Sequence, residues 1–200
     1  MSLPKRDARY HTYSDYLIWS REHGDELIDG TAYVKEPPSP SKYHQVIASE
    51  ICQQVAGALE ATDWVTLIAP MDVRLPKAST RDEDVDTVVQ PDVLIAGVAQ
   101  LKDPRSVLGA PRWLVEVLSP STARYDRNIK IPVYERAGVP EVWLVDFDAR
   151  TVTIHRLSEG RYAVPTVAPL EGRTQLTAVP EAAVDWDRLL AKIRRFDPEV

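Results

Sequence analysis

Two carboxylates stand out because each lies in a run of apolar residues. Asp92 follows Pro91 in the run VVQPDVLIAG, and Glu116 lies at the centre of WLVEVLS. Burying an unpaired charge costs free energy, so a carboxylate among apolar neighbours needs a partner. Two such carboxylates on neighbouring strands, directed at one point, would form a hard oxygen site for Mg²⁺ or Mn²⁺. The alternative for each is an ion pair with a structural arginine or a cap at a strand end.

A lysine on the next predicted helix could reach the same point. Asp126, Lys130 and Tyr134 are spaced by four residues, so they share one face of a helix that follows the strand carrying Glu116. A lysine beside two carboxylates can hold an attacking water or stabilise a developing negative charge. The alternative is an ordinary Asp126–Lys130 pair on a solvated helix face.

The pattern of apolar residues predicts the elements that position these side chains. Apolar residues recur every four positions between residues 43 and 59, which predicts a helix capped by Ser41 with His44 facing inward and Glu50 beside the stripe. A second helix is expected at 125–137, where Pro132 implies either a kink or a start near Ile131. Strand-like runs, two loops and terminal elements complete the prediction. They are strands at 64–75, 88–98, 113–118, 141–147 and 151–157, loops at 77–86 and 101–112, a helix at 12–23, a hairpin at 26–34, and a tail with one more short strand and a helix at 181–195.

The order of these elements predicts an α+β fold, in which a mixed β-sheet is flanked by helices. Because the chain has 200 residues, we expect a single domain over 1–200. Its core would span about residues 41–150, preceded by an N-terminal helix and hairpin, and a C-terminal hairpin and helix would occupy 151–200.

The composition limits the kinds of partner and the cellular compartment that we expect for this protein. The net charge of −6 argues against a generic polyanion binder, so nucleic acid would need a local basic surface or a metal bridge. Cys52 is the single cysteine, which excludes an intramolecular disulfide and a multi-thiolate zinc site. The sequence shows neither an apolar run of about 20 residues nor a secretory signal, so we expect a cytoplasmic protein without a membrane span.

Longer strings around the two carboxylates resemble a known family. QPDVLIAG, LVEVLSPST and YDRNIKIPVYERAGVPEVWLVD are similar to the Uma-two family of candidate restriction endonucleases, which belongs to the PD-(D/E)xK nuclease superfamily. ELIDG and His44-Gln45 extend the match to about residues 12–160. The resemblance implies a restriction-endonuclease-like core of helix, three strands, helix and strand. It also implies hydrolysis of a DNA phosphodiester that depends on Mg²⁺ or Mn²⁺.

The resemblance also assigns roles to residues of this chain. Asp92 and Glu116 match the metal ligands, and the main-chain carbonyl of Val117 would be a further ligand. The lysine of the motif would stand two residues after Glu116, where this chain has Leu118; Lys130 matches the family's relocated lysine on the following helix.

Further residues match supporting positions. His44 and Gln45 match a first-helix signature near the metal or substrate, although a buried structural histidine is an equal alternative for His44. Glu50 is a weaker candidate from the same helix. Asp126, with Tyr134 on the same face, would orient the helix that carries Lys130.

DNA is the expected partner, and a homodimer is expected because both strands would be cut. The predicted phosphate-binding patch consists of Arg124, Arg127, Lys130 and Arg136. Three alternatives remain. They are a nuclease-fold DNA-binding module that does not cut, a metal-dependent hydrolase of another phosphate substrate such as RNA or a nucleotide, and a scaffold protein whose carboxylates are structural. Leu118, Pro132 and the acidic net charge favour the first; the joint presence of Asp92, Glu116 and Lys130 counts against it.

Overall fold

The computed structural model describes residues 6–19, 25–34 and 41–200. The α-helices in these ranges are α1 Tyr13–Tyr16, α2 Lys42–Ala58, α3 Ala123–Tyr125, α4 Ile131–Ala137 and α5 Trp186–Arg194. A 3-10 helix spans Val98–Gln100, and a π-helix at Asp126–Lys130 joins α3 to α4. No helix in the described ranges combines the length and the apolar character needed to cross a bilayer.

The strands form three sheets. The strands are β1 Glu26–Ile28, β2 Thr31–Tyr33, β3 Trp64–Ile68, β4 Asp72–Arg74, β5 Val88–Val89, β6 Val93–Gly97, β7 Ser106–Leu108, β8 Trp113–Val117, β9 Glu141–Asp146, β10 Thr151–Ser158, β11 Arg161–Tyr162, β12 Thr166–Pro169, β13 Arg173–Gln175 and β14 Ala183–Asp185. One sheet has five strands in the order β2-β1-β5-β4-β7. A seven-stranded sheet has the order β11-β10-β9-β8-β6-β3, with β12 beside β10, and β13 pairs with β14. The architecture is therefore α+β, as predicted.

The seven-stranded sheet is buried on both faces, and the alternation along β8 shows how. Trp113, Val115 and Val117 point to one face, where they join the apolar stripes of α2 and α5 in one core. Leu114 points to the other face, into a core shared with the five-stranded sheet and α4. Glu116 has the same parity as Leu114, so it enters the layer between the seven-stranded sheet and α4.

The predicted α2 and the N-terminal hairpin are confirmed. Ser41 caps α2, because its Oγ accepts a hydrogen bond from the His44 backbone N–H at 3.3 Å. The strands β1 and β2 pair across the Asp29-Gly30 turn. Within the described residues, the predicted helix at 12–23 is a single turn, α1, which buries Tyr13 and Tyr16. Positions 20–23 of that prediction lie outside the described residues.

Two predicted strands are wrong because each is split between the two larger sheets. The run 64–75 forms β3 and β4, and the run 88–98 forms β5 and β6. The second break falls at Gln90-Pro91-Asp92, where Pro91 has no N–H to donate to a ladder. Asp92 therefore lies between two strands and not within one.

Other differences concern short strands that alternation cannot reveal. The predicted loop 101–112 contains β7, which pairs in parallel with β4. The tail contains β11 to β14 and not a single strand before α5, since strands of two to four residues show no readable period.

The helix predicted at 125–137 consists of α3, the π-helix and α4. The Ile131 N–H donates to the carbonyl of Asp126, five residues earlier, which closes the wide turn of the π-helix. Pro132 is the second residue of α4 and follows the π-helix directly. The expected helix start near Ile131 holds only for the α-helical part, because helical backbone precedes it from Ala123.

Candidate functional site

Asp92 lies where the chain passes from the five-stranded to the seven-stranded sheet. Its Oδ2 accepts a hydrogen bond from the Val117 backbone N–H at 2.7 Å and lies 3.2 Å from His44 Nε2. Burial acts to raise the pKa of Asp92, but the hydrogen bonds from His44 and Val117 outweigh it and the pKa is lowered. The carboxylate is therefore charged at neutral pH, with 18% of its side chain exposed.

Glu116 lies behind Asp92 on the central strand β8 and is almost fully buried. Its Oε1 accepts a hydrogen bond from the Tyr134 hydroxyl at 2.5 Å and lies 2.5 Å from Lys130 Nζ. Burial raises the pKa of Glu116 to about 8; Lys130 opposes this, and the charges of Asp126 and Asp92 add to it. Glu116 is thus a carboxyl group with a pKa close to neutral pH, whereas Asp92 stays charged.

Lys130 is buried among three carboxylates. Its Nζ lies 2.5 Å from Glu116, 3.2 Å from Glu26 Oε1 and 3.7 Å from Asp126 Oδ1. Burial alone would lower the pKa of Lys130, but these carboxylates raise it well above its usual value, so the ammonium stays charged. Asp126 and Lys130 are the first and last residues of the π-helix, and Tyr134 follows one turn later in α4. The alternative of an Asp126–Lys130 pair on a solvated face is therefore wrong.

Glu26 is a member of this cluster that the sequence interpretation did not single out. It is fully buried at the start of β1, and its Oε1 also accepts a hydrogen bond from the Gln90 backbone N–H at 2.8 Å. The available signal was its place in ELIDG, a carboxylate directly before two apolar residues of a predicted strand. The cluster of Glu26, Glu116, Asp126, Lys130 and Tyr134, called here the lysine cluster, joins both larger sheets.

The donor set was tested for its fit to a divalent cation. Among the residues that the structure describes, no group of three or more His, Cys, Asp or Glu side chains is arranged to hold a metal ion. Mg²⁺, however, keeps several waters and takes only one or two protein carboxylates. Asp92, Glu116 and the main-chain carbonyl of Val117 are hard oxygen donors of that kind, and the carboxylates outnumber the lysine in the layer beside them. The residues present therefore fit the ion in donor type and in charge.

The predicted phosphate-binding patch is wrong as a group of four. Lys130 faces inward because its carboxylate partners lie there. Arg127 is paired with Asp146 at 2.9 Å, and Arg136 with Asp29 at 2.7 Å. Among the four, Arg124, Arg127 and Arg136 are exposed, and two of these three carry a neutralising partner.

The two other candidates from α2 differ in exposure and in partners. Gln45 is exposed beside His44. Glu50 is buried on the side of α2 that faces α5, where it pairs with Lys192 at 2.6 Å and Arg188 at 2.8 Å. The weak expectation that Glu50 belongs to the site is therefore wrong.

Comparisons with known proteins agree with this architecture. The chain is similar to a solved structure from Anabaena variabilis ATCC 29413 described as "a putative nuclease belonging to DUF820", with a TM-score of 0.71 and 18% sequence identity over 90% of this chain and 98% of that one. At that identity the likeness shows the fold. No curated protein matches the sequence. The model of the Uma2 family, described as "Putative restriction endonuclease", matches residues 13–189. The chain therefore belongs to the Uma2 family.

Proposed function

We propose that this protein is an endonuclease that hydrolyses DNA phosphodiester bonds with the help of Mg²⁺ or Mn²⁺. The observation that carries the proposal is the connection between three groups. Asp92 binds the Val117 N–H, Glu116 precedes Val117 on β8, and Lys130 lies 2.5 Å from Glu116. Two carboxylates and a lysine are thereby linked through the end of β8.

Each residue of this arrangement has a separate task. Asp92, Glu116 and the Val117 carbonyl would hold the ion, which when bound neutralises phosphate charge and lowers the pKa of a water. His44 orients the Asp92 carboxylate through the contact at 3.2 Å. Lys130 provides the positive charge that positions the attacking water or stabilises negative charge as it develops on the phosphate.

The lysine cluster fixes that positive charge in place. Glu26 and Asp126 keep Lys130 charged, because both carboxylates lie within 4 Å of its ammonium. The Tyr134 hydroxyl donates to Glu116 and limits the rotation of its carboxyl group. Because Glu26 comes from the five-stranded sheet, the position of Lys130 depends on the packing of the two sheets.

A nuclease-fold module that binds DNA without cutting it is the second candidate. The specific observation in its favour is that Lys130 is almost fully buried, while Leu118 occupies the place at which the motif would carry a lysine. Such a module would still bind a divalent cation if Asp92 and Glu116 are ligands. Binding of Mn²⁺ therefore does not separate the two candidates, but cleavage does.

The test is cleavage of supercoiled plasmid and of single-stranded DNA with Mg²⁺ or Mn²⁺. We expect nicking by the wild type that is abolished by EDTA, by Asp92→Ala and by Glu116→Gln. Asp63→Ala is the matched control, because Asp63 is an exposed aspartate just before β3. A folded wild type that binds Mn²⁺ but leaves DNA intact would instead support the non-cutting module.

Two further arms complete the experiment. An RNA of the same sequence and a set of nucleotides test whether another phosphate substrate is preferred. If Glu116→Gln cut DNA as the wild type does, the assignment of Glu116 would be wrong.

Double-strand cutting would require two sites, so we propose a homodimer, which analytical ultracentrifugation with and without a duplex would detect.

A further inference from the structure

A groove between α2 and α5 carries more cations than carboxylates. Its volume is about 350 Å³. The residues that line it are Glu50, Gln53, Arg188, Ala191, Lys192 and Arg195. We call it the α2–α5 groove.

Three basic side chains occupy one face of α5. Arg188, Lys192 and Arg195 are spaced by four and three residues, which places them in a row along the helix. Arg188 and Lys192 both contact Glu50, at 2.8 and 2.6 Å, while 57% and 40% of their side chains remain exposed. Two cations thus share one buried carboxylate, and the exposed Arg195 adds a third charge.

The row points toward the candidate site. α5 runs antiparallel to α2, because Arg188 lies 3.5 Å from Gln53 whereas Asp197, beyond the end of α5, accepts a hydrogen bond from the Tyr43 hydroxyl. The row therefore extends from the second half of α2 toward its first turn, where His44 contacts Asp92. Glu50 and His44 are six residues apart, about 9 Å along the helix axis and about 120° around it.

We propose that the α2–α5 groove binds the sugar–phosphate backbone of the nucleic acid beyond the phosphate that lies at Asp92. The inference deepens the proposed function and rests on it for the identity of the ligand. The chain as a whole is acidic, so a groove with a surplus of positive charge is a local feature that a polyanion would select. By contrast, Arg127 and Arg136 are each matched by one carboxylate.

Lysine and arginine contacts to phosphate position a strand without reading its sequence. The groove would therefore set the register of the strand relative to Asp92 and contribute equally to all sequences. Each lost phosphate contact lowers the salt dependence of binding by about one unit in the slope of log K against log salt.

The test is binding of a short labelled DNA duplex, measured by fluorescence anisotropy in EDTA over a series of salt concentrations. Arg195→Ala is expected to weaken binding and reduce the salt slope by about one. Arg195→Glu should weaken it further, and Arg195→Lys should preserve it. Arg161→Ala, which removes an 85% exposed arginine on β11, is the matched control and should bind like the wild type.

Removing the other two cations requires a compensated variant, because Glu50 would otherwise be left buried and unpaired. The triple variant Glu50→Gln, Arg188→Gln and Lys192→Gln removes the carboxylate with its partners, and circular dichroism checks its fold. Combined with Arg195→Ala, it should reduce the salt slope by about three. Should the triple variant unfold, the three Arg195 variants alone decide.

The outcomes separate this inference from the proposed function. Asp92→Ala should lose cleavage, while its binding of the duplex without metal should still weaken when Arg195 is replaced by Ala. If nothing is cleaved but binding still depends on the row, the nuclease activity fails and the groove stands. If DNA is cleaved but the groove variants keep the wild-type affinity and salt slope, the groove inference is overturned. The groove inference is also overturned if none of duplex DNA, single-stranded DNA and RNA binds. If they do bind, the one with the highest affinity identifies the kind of nucleic acid that occupies the groove.

Discussion

Lys130 Nζ lies 2.5 Å from Glu116 Oε1, and both side chains are almost completely withdrawn from solvent. The same ammonium lies 3.2 Å from Glu26 and 3.7 Å from Asp126. A single lysine thus compensates several buried carboxylates between the two larger sheets. Stability and activity should therefore depend on the same side chain.

Replacing Lys130 by Met should destabilise the fold, because it leaves the carboxylates of the lysine cluster without their cation. Breaking a buried pair on one side costs about 3–5 kcal/mol in the free energy of unfolding. Urea unfolding at neutral pH measures this loss. Lys102→Met, at an exposed position, is the control and should be close to neutral. Equal midpoints for the two variants would contradict the prediction.

The raised pKa of Glu116 predicts how stability depends on pH. Its pKa is about 8 in the folded protein against 4.5 ordinarily, so the folded state holds this proton more tightly than the unfolded chain does. This stabilisation of the folded state is complete at pH values below the ordinary pKa of 4.5, and it is lost as the pH rises through about 8. The loss approaches 1.4 kcal/mol per pH unit between these two values, about the free energy of one pKa unit.

Urea unfolding of the wild type and of Glu116→Gln, in EDTA at several pH values, tests this expectation. The stability of the wild type relative to Glu116→Gln should fall as the pH rises from about 5 to about 8. Glu60→Gln, at an exposed position after α2, should follow the wild type throughout. Parallel curves for the wild type and Glu116→Gln would show that Glu116 does not titrate in this window.

His44→Ala should reduce metal-dependent cleavage by about 10- to 100-fold, the usual cost of losing a side chain that orients a metal ligand. The physical reason is the contact of His44 Nε2 with Asp92 Oδ2, which also lowers the pKa of that carboxylate. Initial rates on plasmid at saturating Mn²⁺ measure the effect. Gln45→Ala, one residue further along α2 and exposed, should retain the wild-type rate. If Gln45→Ala lowered the cleavage rate and His44→Ala did not, the side chain that orients Asp92 would be Gln45 and not His44.

Moving the lysine from the helix to the strand should recover part of the activity. Leu118 directly follows β8, and its N–H donates to the Val145 carbonyl at 2.9 Å, which continues the pairing with β9. Because residues two apart in such a ladder point to the same face, a lysine at position 118 would extend from the face that carries Glu116. We expect Lys130→Met to abolish cleavage and the double variant Lys130→Met with Leu118→Lys to restore a measurable fraction. Leu118→Met in the same background is the control. Absence of any recovery in a folded double variant would show that the position of Lys130 cannot be replaced from β8.

Spacing within single elements could be predicted from the sequence. The four-residue intervals of Asp126, Lys130 and Tyr134 indicated a shared face, and Lys130 and Tyr134 both contact Glu116. The cap at Ser41 and the turn at Asp29-Gly30 are local features of the same kind. Each depends on neighbours within a few residues, which the sequence displays directly.

Contacts between distant segments could not be predicted in this way. Glu26 and Lys130 are more than one hundred residues apart, and only the tertiary fold brings β1 and the π-helix together. The partner of Arg127 is 19 residues away and that of Arg136 is 107 residues away, so their charges were expected to be free. Which sheet a strand joins is likewise invisible in alternation, since the two halves of the run 88–98 show the same apolar character.

The N-terminal hairpin has a consequence for how this protein can be shortened. A fragment starting at residue 41 would keep Asp92, Glu116 and Lys130, and by its motifs it would pass for a complete catalytic unit. It would nevertheless lack Glu26, the acceptor of the Gln90 N–H and a counter-charge of Lys130. The smallest portable unit of this protein therefore begins upstream of β1.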